Sequence, residues 1–250
     1  HGGSSASVGQ FLADSGEFQF VVNAHTRPIR PWINVLSNPG FGAQITDAGA
    51  GYTWAVNSRL NQLTAWSNDP VTDPPSEWFL VQDAATRQVW STAPTAGADD
   101  GIDYQVTHGQ GHTRIRHRRG DLTITATWCV DAATAVKQVR VQVMHHGKRA
   151  RHLRLIGMLE WMMGARRDDR ATVDTALHRQ RLPNQQLTAL MCTQRESSGG
   201  FGLGTAFLAL AHHPDEADDW TCDRREFFDA RGRLVLPDVL GQRSGAGLDP

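Results

Sequence analysis

The sequence is poor in cysteine, in net charge and in long apolar runs, and each shortage excludes a class of protein. Its three cysteines form no CxxC pair, so we expect neither a disulfide framework nor a zinc ribbon, and a reducing, cytoplasmic setting is favoured. The formal net charge is −1, which gives no electrostatic reason to expect a nucleic acid as partner. No apolar run approaches the ~20 residues of a membrane span, and no signal-peptide pattern opens the chain.

The chain does have length and a strong alternation of apolar and polar residues. Its 250 residues are 40 % hydrophobic, which suffices for one large all-β domain or two small ones. In Asp121–Val130 and Val136–His146 apolar residues recur with a period of two, and the short stretch DAATA joins the two segments. This pattern predicts an antiparallel hairpin with one wet face. Arg151–Gly164 is predicted to be a strand whose middle is covered on both faces.

Turns rich in Gly, Asp and Pro separate many other short apolar segments, which are also predicted strands. They are Glu17–Val22, Phe41–Thr46, Trp78–Asp83, Arg87–Ser91, Ile102–Gly109, Gly111–Arg118, Leu187–Cys192 and Gly204–Ala211. Helix is scarce: Asp169–Leu182 is predicted to hold a short amphipathic helix, and Asp223–Ala230 a single turn. More than ten short strands predict an all-β fold, a large antiparallel β-sandwich with one or two short helices.

No complete catalytic set can be assembled from the residues alone. The serines lack a GxSxG elbow, and no phosphate-binding loop is present. His145–His146 and His212–His213 are adjacent pairs, but neighbouring side chains on a strand point to opposite faces, so we expect no metal site and no cofactor. Asp69, Asp73 and Glu77 lie in or beside a turn-rich stretch. Glu160 has apolar neighbours, so it either carries a raised pKa or pairs with an arginine.

The stretch GYTWAVNSRLNQLTAWSNDPVTDPP (Gly51–Pro75) is unusually rich in rings, amides and turn formers. Trp54 and Trp66 offer flat apolar faces to a pyranose, and nearby polar side chains offer donors and acceptors to hydroxyl groups. Those polar residues are Asn57, Arg59, Asn61, Asn68 and Asp69. The alternative is that the two rings plug the edge of the sandwich while the Asn and Asp residues close turns. Residue types alone leave both interpretations open.

Several long stretches together resemble one known family. They are Pro31–Asp83 with its NSRxxxLTxWSNDPVxDPP pattern, Tyr104–Val130, Leu153–Gly164 and Arg243–Pro250. These stretches resemble the N-terminal β-sandwich of glycoside hydrolase family ninety-four, formerly classed as a glycosyltransferase family. The WSNDP motif is more similar to that of the cyclic β-1,2-glucan synthase branch, and the cellobiose and chitobiose phosphorylases are more distant.

The resemblance implies a super-β-sandwich of the galactose-mutarotase type followed by a helical linker and an (α/α)6 catalytic barrel. In that family a barrel Asp is the general acid and inorganic phosphate attacks the anomeric carbon, so phosphate is expected as co-substrate of the full-length enzyme. Residues 1–16 are expected to be a flexible lead or tag remnant, 17–240 the sandwich, and 241–250 the start of the linker. Because the barrel is absent from this chain, we predict that the chain alone is inactive.

The resemblance also implies where the sandwich works. Family sandwiches pack against the barrel and contribute loops to the sugar cleft, sometimes across a dimer, which favours the Tyr52–Asp73 loop and the His108–Arg114 turn. The expected substrate-binding or barrel-facing residues are Asn57, Arg59, Trp66, Asn68 and Asp69, and then His108 and Gln110. The expected function is that of a non-catalytic sandwich domain of a transferase or phosphorylase acting on β-glucans, with β-1,2-glucan favoured.

The expected partners follow from the same resemblance: a β-glucan oligosaccharide, the protein's own barrel and a homodimer mate. A synthase-type parent would be a membrane-bound protein whose soluble parts face the cytoplasm. The alternative function is an independent carbohydrate-binding module, and binding of an oligosaccharide by the isolated chain would separate the two.

Overall fold

The computed structural model describes residues 5–6, 8–95, 100–182, 185–196, 203–210 and 220–230. The chain divides into two compact units, His1–Leu159 and Glu160–Pro250. The described strands of the first unit are β1 (Ser5–Ala6), β2 (Gln10–Phe11), β3 (Phe18–Val22), β4 (Thr26–Arg27), β5 (Ile33–Asn38), β6 (Phe41–Thr46), β7 (Gly51–Ala55), β8 (Gln62–Thr64), β9 (Glu77–Asp83), β10 (Val89–Ser91), β11 (Tyr104–Gly109), β12 (His112–Arg119), β13 (Leu122–Val130), β14 (Lys137–His145) and β15 (Leu153–Leu159). Those of the second unit are β16 (Trp161–Gly164), β17 (Val173–Leu182), β18 (Gln185–Gln194) and β19 (Thr205–Ala209), with 3₁₀ helices at Arg167–Thr172 and Arg224–Glu226.

A six-stranded antiparallel sheet forms the main layer of the first unit. Its order is β14-β13-β12-β11-β3-β2. The predicted hairpin of β13 and β14 is confirmed, with Leu122 opposite His145 and Val130 opposite Lys137. Alternation of buried and open positions along β13 follows the sequence pattern, because one face of the strand meets the core and the other does not.

Two smaller antiparallel sheets cover the same face of this layer. The strands β5, β6, β7 and β8 form one of them, and β10-β9-β15 forms the other. The main core joins Leu36, Ala43 and Ile45 of the smaller sheet to side chains of the large sheet, such as Val106 and Ile115. The all-β antiparallel sandwich is therefore confirmed, and only the two-residue pair of β1 and β4 runs parallel among the described ladders.

The second unit contains the antiparallel ladder β17-β18-β19. The helix predicted over Asp169–Leu182 is wrong beyond its first turn: a 3₁₀ helix ends at Thr172, and Val173–Leu182 is a strand paired with β18. Val173 and Thr175 are β-branched and sit on the more buried side of an alternating segment, which a strand accommodates better than a helix. The short turn predicted near Asp223 is confirmed, and the Asp223 side chain caps it by accepting from the Arg225 N–H.

The strand predicted over Arg151–Gly164 is also corrected. It is interrupted at Glu160, and the middle of β15 is open, with Arg154 exposed and Leu155 43 % exposed. Glu160 pairs with Arg224 at 2.7 Å, which confirms the arginine alternative for that carboxylate.

Six strands of the first unit, β1, β2, β4, β5, β7 and β8, were not predicted as strands, whereas the remaining predicted strands are confirmed within a few residues. His212–His213 and the tail 241–250 lie outside the described residues. No helix among the described residues is long and apolar enough to cross a membrane.

Candidate functional site

The pairing register shows which side chains of the smaller sheet point away from the core. Val35 lies opposite Gln44, and Gln44 lies opposite Tyr52. Because Leu36 and Ala43 belong to the core, their sequence neighbours point to the other side. We call this side the outer face; it carries Ile33, Val35, Gln44, Tyr52 and Trp54.

Three aromatic rings meet on the outer face. Trp66 stacks on Tyr52 with 5.2 Å between centroids and 7° between planes, and Trp54 lies 5.1 Å from Tyr52 at 38°. Gly42 allows this packing, because a Cβ there would overlap the Trp54 ring. Tyr52 is buried, whereas both tryptophans are half-buried. Trp66 therefore combines a fixed orientation with a partly open ring, as a sugar-stacking residue would.

The turn between β7 and β8 holds Asn57 and Arg59. The Asn57 Oδ1 accepts from the Arg59 and Leu60 N–H groups at 3.0 and 2.9 Å, and Asn61 is buried with its amide donating to the Ala55 carbonyl. Both asparagines thus shape the turn. The exposed Arg59 side chain has no hydrogen-bond or ion-pair partner among the described residues, so it is the polar group of this turn that is free to meet another molecule.

Asn68 and Asp69 lie in the next turn. Asn68 is exposed with a φ of 48°. Asp69 accepts from the Val71 and Thr72 N–H groups and from the Thr72 hydroxyl, and these hydrogen bonds, the hydroxyl first, lower its pKa. The Asp73 Oδ2 accepts from the Thr46 hydroxyl at 2.6 Å, while burial raises the pKa of Asp73. Both carboxylates are engaged in closing the loop.

His108 and Gln110 occupy different environments although they are two residues apart. His108 points to the core side of the large sheet, with Nδ1 3.2 Å from the Thr113 hydroxyl and Nε2 3.3 Å from the Trp32 carbonyl oxygen. Burial lowers the pKa of His108 to about 4, so the ring is neutral at pH 7. Gln110 is exposed at the tip of the turn.

Two asparagines of β5 show how far the Asn57–Arg59 turn lies from the His108–Gln110 turn. The Asn34 amide donates to the Gly109 and His112 carbonyls, and the Asn38 amide donates to the Asp131 carbonyl. The turn after β7 is tied to the Asn38 end, because the Val56 N–H donates to the Gly40 carbonyl. Four residues of strand span about 13 Å. The Asn57–Arg59 turn and the His108–Gln110 turn therefore lie at opposite ends of β5 and share no single pocket.

A buried ion pair behind the smaller sheet was not predicted. Glu77 pairs with Lys137, and their side chains are only 7 % and 10 % exposed. The Glu77 Oε1 also accepts from the Thr53 and Thr64 hydroxyls at 2.6 and 2.8 Å. Burial alone would raise the pKa of Glu77, but Lys137 and the two hydroxyls lower it below its ordinary value. The alternation of apolar and polar residues along β14 could have revealed the buried Lys137, because Lys137 lies on the same strand face as Val139, which packs against the core.

The described histidine pair does not converge on a common ligand. The His145 ring is 3.0 Å from Asp121 and the His146 ring is 2.9 Å from Thr123. In the described part of the chain, no three His, Cys, Asp or Glu side chains are grouped to hold a metal ion. Cys192 is buried, as expected for a structural thiol, and burial raises its pKa to about 12.

One protein family matches almost the whole chain. The family model described as the supersandwich domain of glycosyl hydrolase 94 matches residues 17–250. The chain belongs to this family. Within family 94, it is similar to cyclic beta-(1,2)-glucan synthase NdvB of Rhizobium meliloti, with 32 % identity over 232 residues, 93 % of this chain and 8 % of the synthase. It is also similar to solabiose phosphorylase of Paenibacillus borealis, with 24 % identity over 162 residues, 63 % of this chain and 20 % of the phosphorylase. The chain spans a small part of either relative.

Proposed function

We propose that the chain is a non-catalytic sandwich domain of a family 94 transferase or phosphorylase that acts on β-glucans, with β-1,2-glucan as the favoured substrate. In this proposal the outer face packs against the catalytic barrel or a second copy and shapes the sugar cleft. The similarity to a β-1,2-glucan synthase over most of the chain favours this substrate. We further propose inorganic phosphate as co-substrate of the whole enzyme, no resident cofactor, and a cytoplasmic setting, including the cytoplasmic side of a membrane-bound parent.

The observation that carries the docking role is the apolar exposure of the outer face. Ile33 and Val35 are 47 % and 57 % exposed on β5. In the adjoining turn, Val56 and Leu60 are 70 % and 52 % exposed. Neighbouring exposed apolar side chains on an edge strand would promote aggregation if the surface were left uncovered. They are typical of a surface that another domain covers.

Substitution in the full-length protein tests the docking role. Val35→Asp would place an unpaired charge in the covered surface, so we expect transfer or phosphorolysis to fall at least about tenfold. Met144→Asp on β14 is the matched control, because its side chain is 60 % exposed and lies on the strand face opposite to Val141 and Val143. Thermal unfolding of the 250-residue chain should change little in either variant. Equal activities of the two full-length variants would contradict the docking role.

A second candidate function is an independent carbohydrate-binding module. The partly open Trp66 ring favours it, and so does the exposed Arg59 side chain, which has no partner within the described ranges. Titration of the isolated chain with a β-1,2-linked oligosaccharide, followed by chemical shifts, separates the two functions. Docking predicts no saturable shift at Trp66, Arg59, Asn68 or Gln110. A saturable shift there that Arg59→Ala and Trp66→Ala abolish would favour the module instead.

The chain alone is expected to be inactive because the general acid of the family belongs to the barrel. The measurement is release of glucose 1-phosphate from β-1,2-glucan and inorganic phosphate by the purified 250-residue chain. Sustained release that scales with the concentration of the chain would overturn the non-catalytic role.

A further inference from the structure

The turn between β7 and β8 contains a strained valine. Val56 has a φ of 64° and is the only β-branched residue with a positive φ among the described residues. Two hydrogen bonds fix this conformation: the Val56 N–H donates to the Gly40 carbonyl at 2.8 Å, and the Asn57 N–H donates to the Ala55 carbonyl at 2.7 Å. Gly or Asn adopts a positive φ with less strain than a β-branched residue does. The chain therefore keeps a valine where its side chain reduces stability.

Packing inside the first unit does not compensate for this strain. The Val56 side chain is 70 % exposed, and Leu60, four residues later, is 52 % exposed. Neither side chain is needed to form the turn, because the Asn57 Oδ1 closes it by accepting from the Arg59 and Leu60 N–H groups. Strained residues of this kind cluster at sites that bind another molecule. The two exposed apolar side chains are therefore suited to contact a partner.

The charge of this surface indicates which kind of partner fits it. Arg59 lies between the two apolar residues and is exposed, and its side chain has no ion-pair partner in the part of the chain that the structure describes. From Pro31 to Asn68 the one acidic residue of the sequence is Asp47, which is buried. An isologous contact between two copies of this surface would therefore bring Arg59 no carboxylate. The partner has to be a different surface with a carboxylate of its own.

The length of the relatives favours a partner within the same polypeptide. The matched part is 8 % of the synthase and 20 % of the phosphorylase, so most of each relative lies outside it. A domain of the same polypeptide is present at a high effective concentration, so a small contact is enough to dock it. Arginine and apolar side chains that fill a pocket are the groups that carry most of the binding energy in many interfaces.

We propose that the 56–60 turn docks into the catalytic barrel of the full-length protein. Val56 and Leu60 fill an apolar pocket of the barrel, and Arg59 pairs with a carboxylate at the rim of that pocket. Burial of Val56 is gained only on docking, and it offsets the strain of the valine in the docked state. This inference rests on the function proposed above, and it names the barrel rather than a second copy as the partner of this turn.

Hydrogen exchange followed by mass spectrometry tests the docking of the turn. The readout is a ratio: the exchange rate of the amides of residues 56–60 in the 250-residue chain, divided by their rate in the full-length protein. We expect this ratio to be at least about 100, because the docked turn must open before it exchanges. The 84–87 turn is the internal reference, because it contains Arg87, another exposed residue with a positive φ. Its amides should exchange at the same rate in both proteins.

Two substitutions separate the strain from the contact. Val56→Asn suits the backbone but is polar, so it should raise the unfolding midpoint of the 250-residue chain by about 2–4 °C. The same variant should lower the exchange ratio about tenfold, because the pocket loses its apolar side chain. Arg59→Glu should leave the midpoint unchanged and lower the ratio by at least about tenfold, because it opposes two carboxylates. Arg87→Asn is the matched control and should leave the ratio unchanged.

Three results would contradict the inference. The first is that the 56–60 turn exchanges as fast in the full-length protein as in the 250-residue chain. The second is that Val56→Asn or Arg59→Glu leaves the ratio as high as Arg87→Asn does. The third is that the protection in the full-length protein disappears on dilution, which would show a second copy as the partner.

Failure of this inference differs from failure of the proposed function. If the turn is unprotected but Val35→Asp still lowers the activity of the full-length protein more than Met144→Asp does, the outer face docks and this turn takes no part. If those two variants are equally active as well, the docking role itself is wrong.

Discussion

Removing the charge of Lys137 should destabilise the first unit more than any surface substitution. Lys137 and Glu77 are 10 % and 7 % exposed. Among the described residues only Lys137 balances the charge of the carboxylate, since Thr53 and Thr64 contribute neutral hydroxyls. Lys137→Met keeps an unbranched side chain of similar length but leaves the buried Glu77 carboxylate without a positive partner. Breaking a buried pair from one side costs about 3–5 kcal/mol. For a chain of this size, such a loss lowers the midpoint of thermal unfolding by roughly 10 °C.

The pH dependence of this loss has a definite sign. In the wild type the pKa of Glu77 is below its ordinary 4.5, so the pair's contribution is present above that value and is lost as pH falls through the lower folded pKa. In Lys137→Met, burial dominates and the pKa of Glu77 rises above 4.5. The folded variant then gains stability on protonation, and its deficit relative to wild type should shrink between pH 7 and pH 5.

Urea unfolding followed by tryptophan fluorescence at both pH values measures this deficit. Lys148→Met is the matched control, because Lys148 is the only other lysine and is exposed. The double variant Glu77→Gln/Lys137→Met should recover most of the loss, since no buried charge remains. The reasoning is refuted if Lys137→Met unfolds like Lys148→Met, or if its deficit is the same at pH 5 as at pH 7.

Three further predictions concern groups whose environment the fold determines. Burial, together with the nearby charge of Asp73, raises the pKa of Asp47 to about 6, so the free energy of unfolding falls as pH rises from about 4 to 6. In urea unfolding, Asp47→Asn should therefore be more stable than wild type at pH 7 by up to about 3 kcal/mol, with no gain near pH 4. Gly51→Ala should lower the unfolding midpoint much more than Gly111→Ala, because a Cβ at Gly51 would overlap the Gln44 carbonyl oxygen while Gly111 has open space and also has a positive φ. His108 should titrate in NMR spectra near pH 4, and a midpoint near 6.5 would show that the ring is not buried as described.

The strands that sequence reasoning recovered are those whose alternation is strong over many residues. Leu122–Val130 alternates apolar and polar residues throughout, and its register with β14 follows from one short turn. The sequence predicts a short amphipathic helix over Asp169–Leu182, and the segment does contain good helix formers such as Ala, Leu and Arg. Pairing with β18 overrides that local preference, since ladder hydrogen bonds and burial of Val173 come from residues distant in sequence.

The candidate site was predicted only in part, for a similar reason. The segment Gly51–Pro75 was identified from its rings and amides, and Trp66 and Arg59 do remain partly or fully open. His108, in contrast, has the residue type of a ligand-binding group but points toward the core. Turn-forming residues can be recognised from the sequence because they act on their near neighbours. Which face of a sheet is buried cannot, because it depends on the second sheet that packs against it.

By itself, the sequence determined the strand-rich class, the family and the β13–β14 hairpin, because a two-residue period and turn residues act between near neighbours. Only the tertiary structure decided the Glu77–Lys137 pair and the raised pKa of Asp47. Each of these depends on desolvation and on distances between residues far apart in the chain, and neither quantity exists until the sheets are stacked.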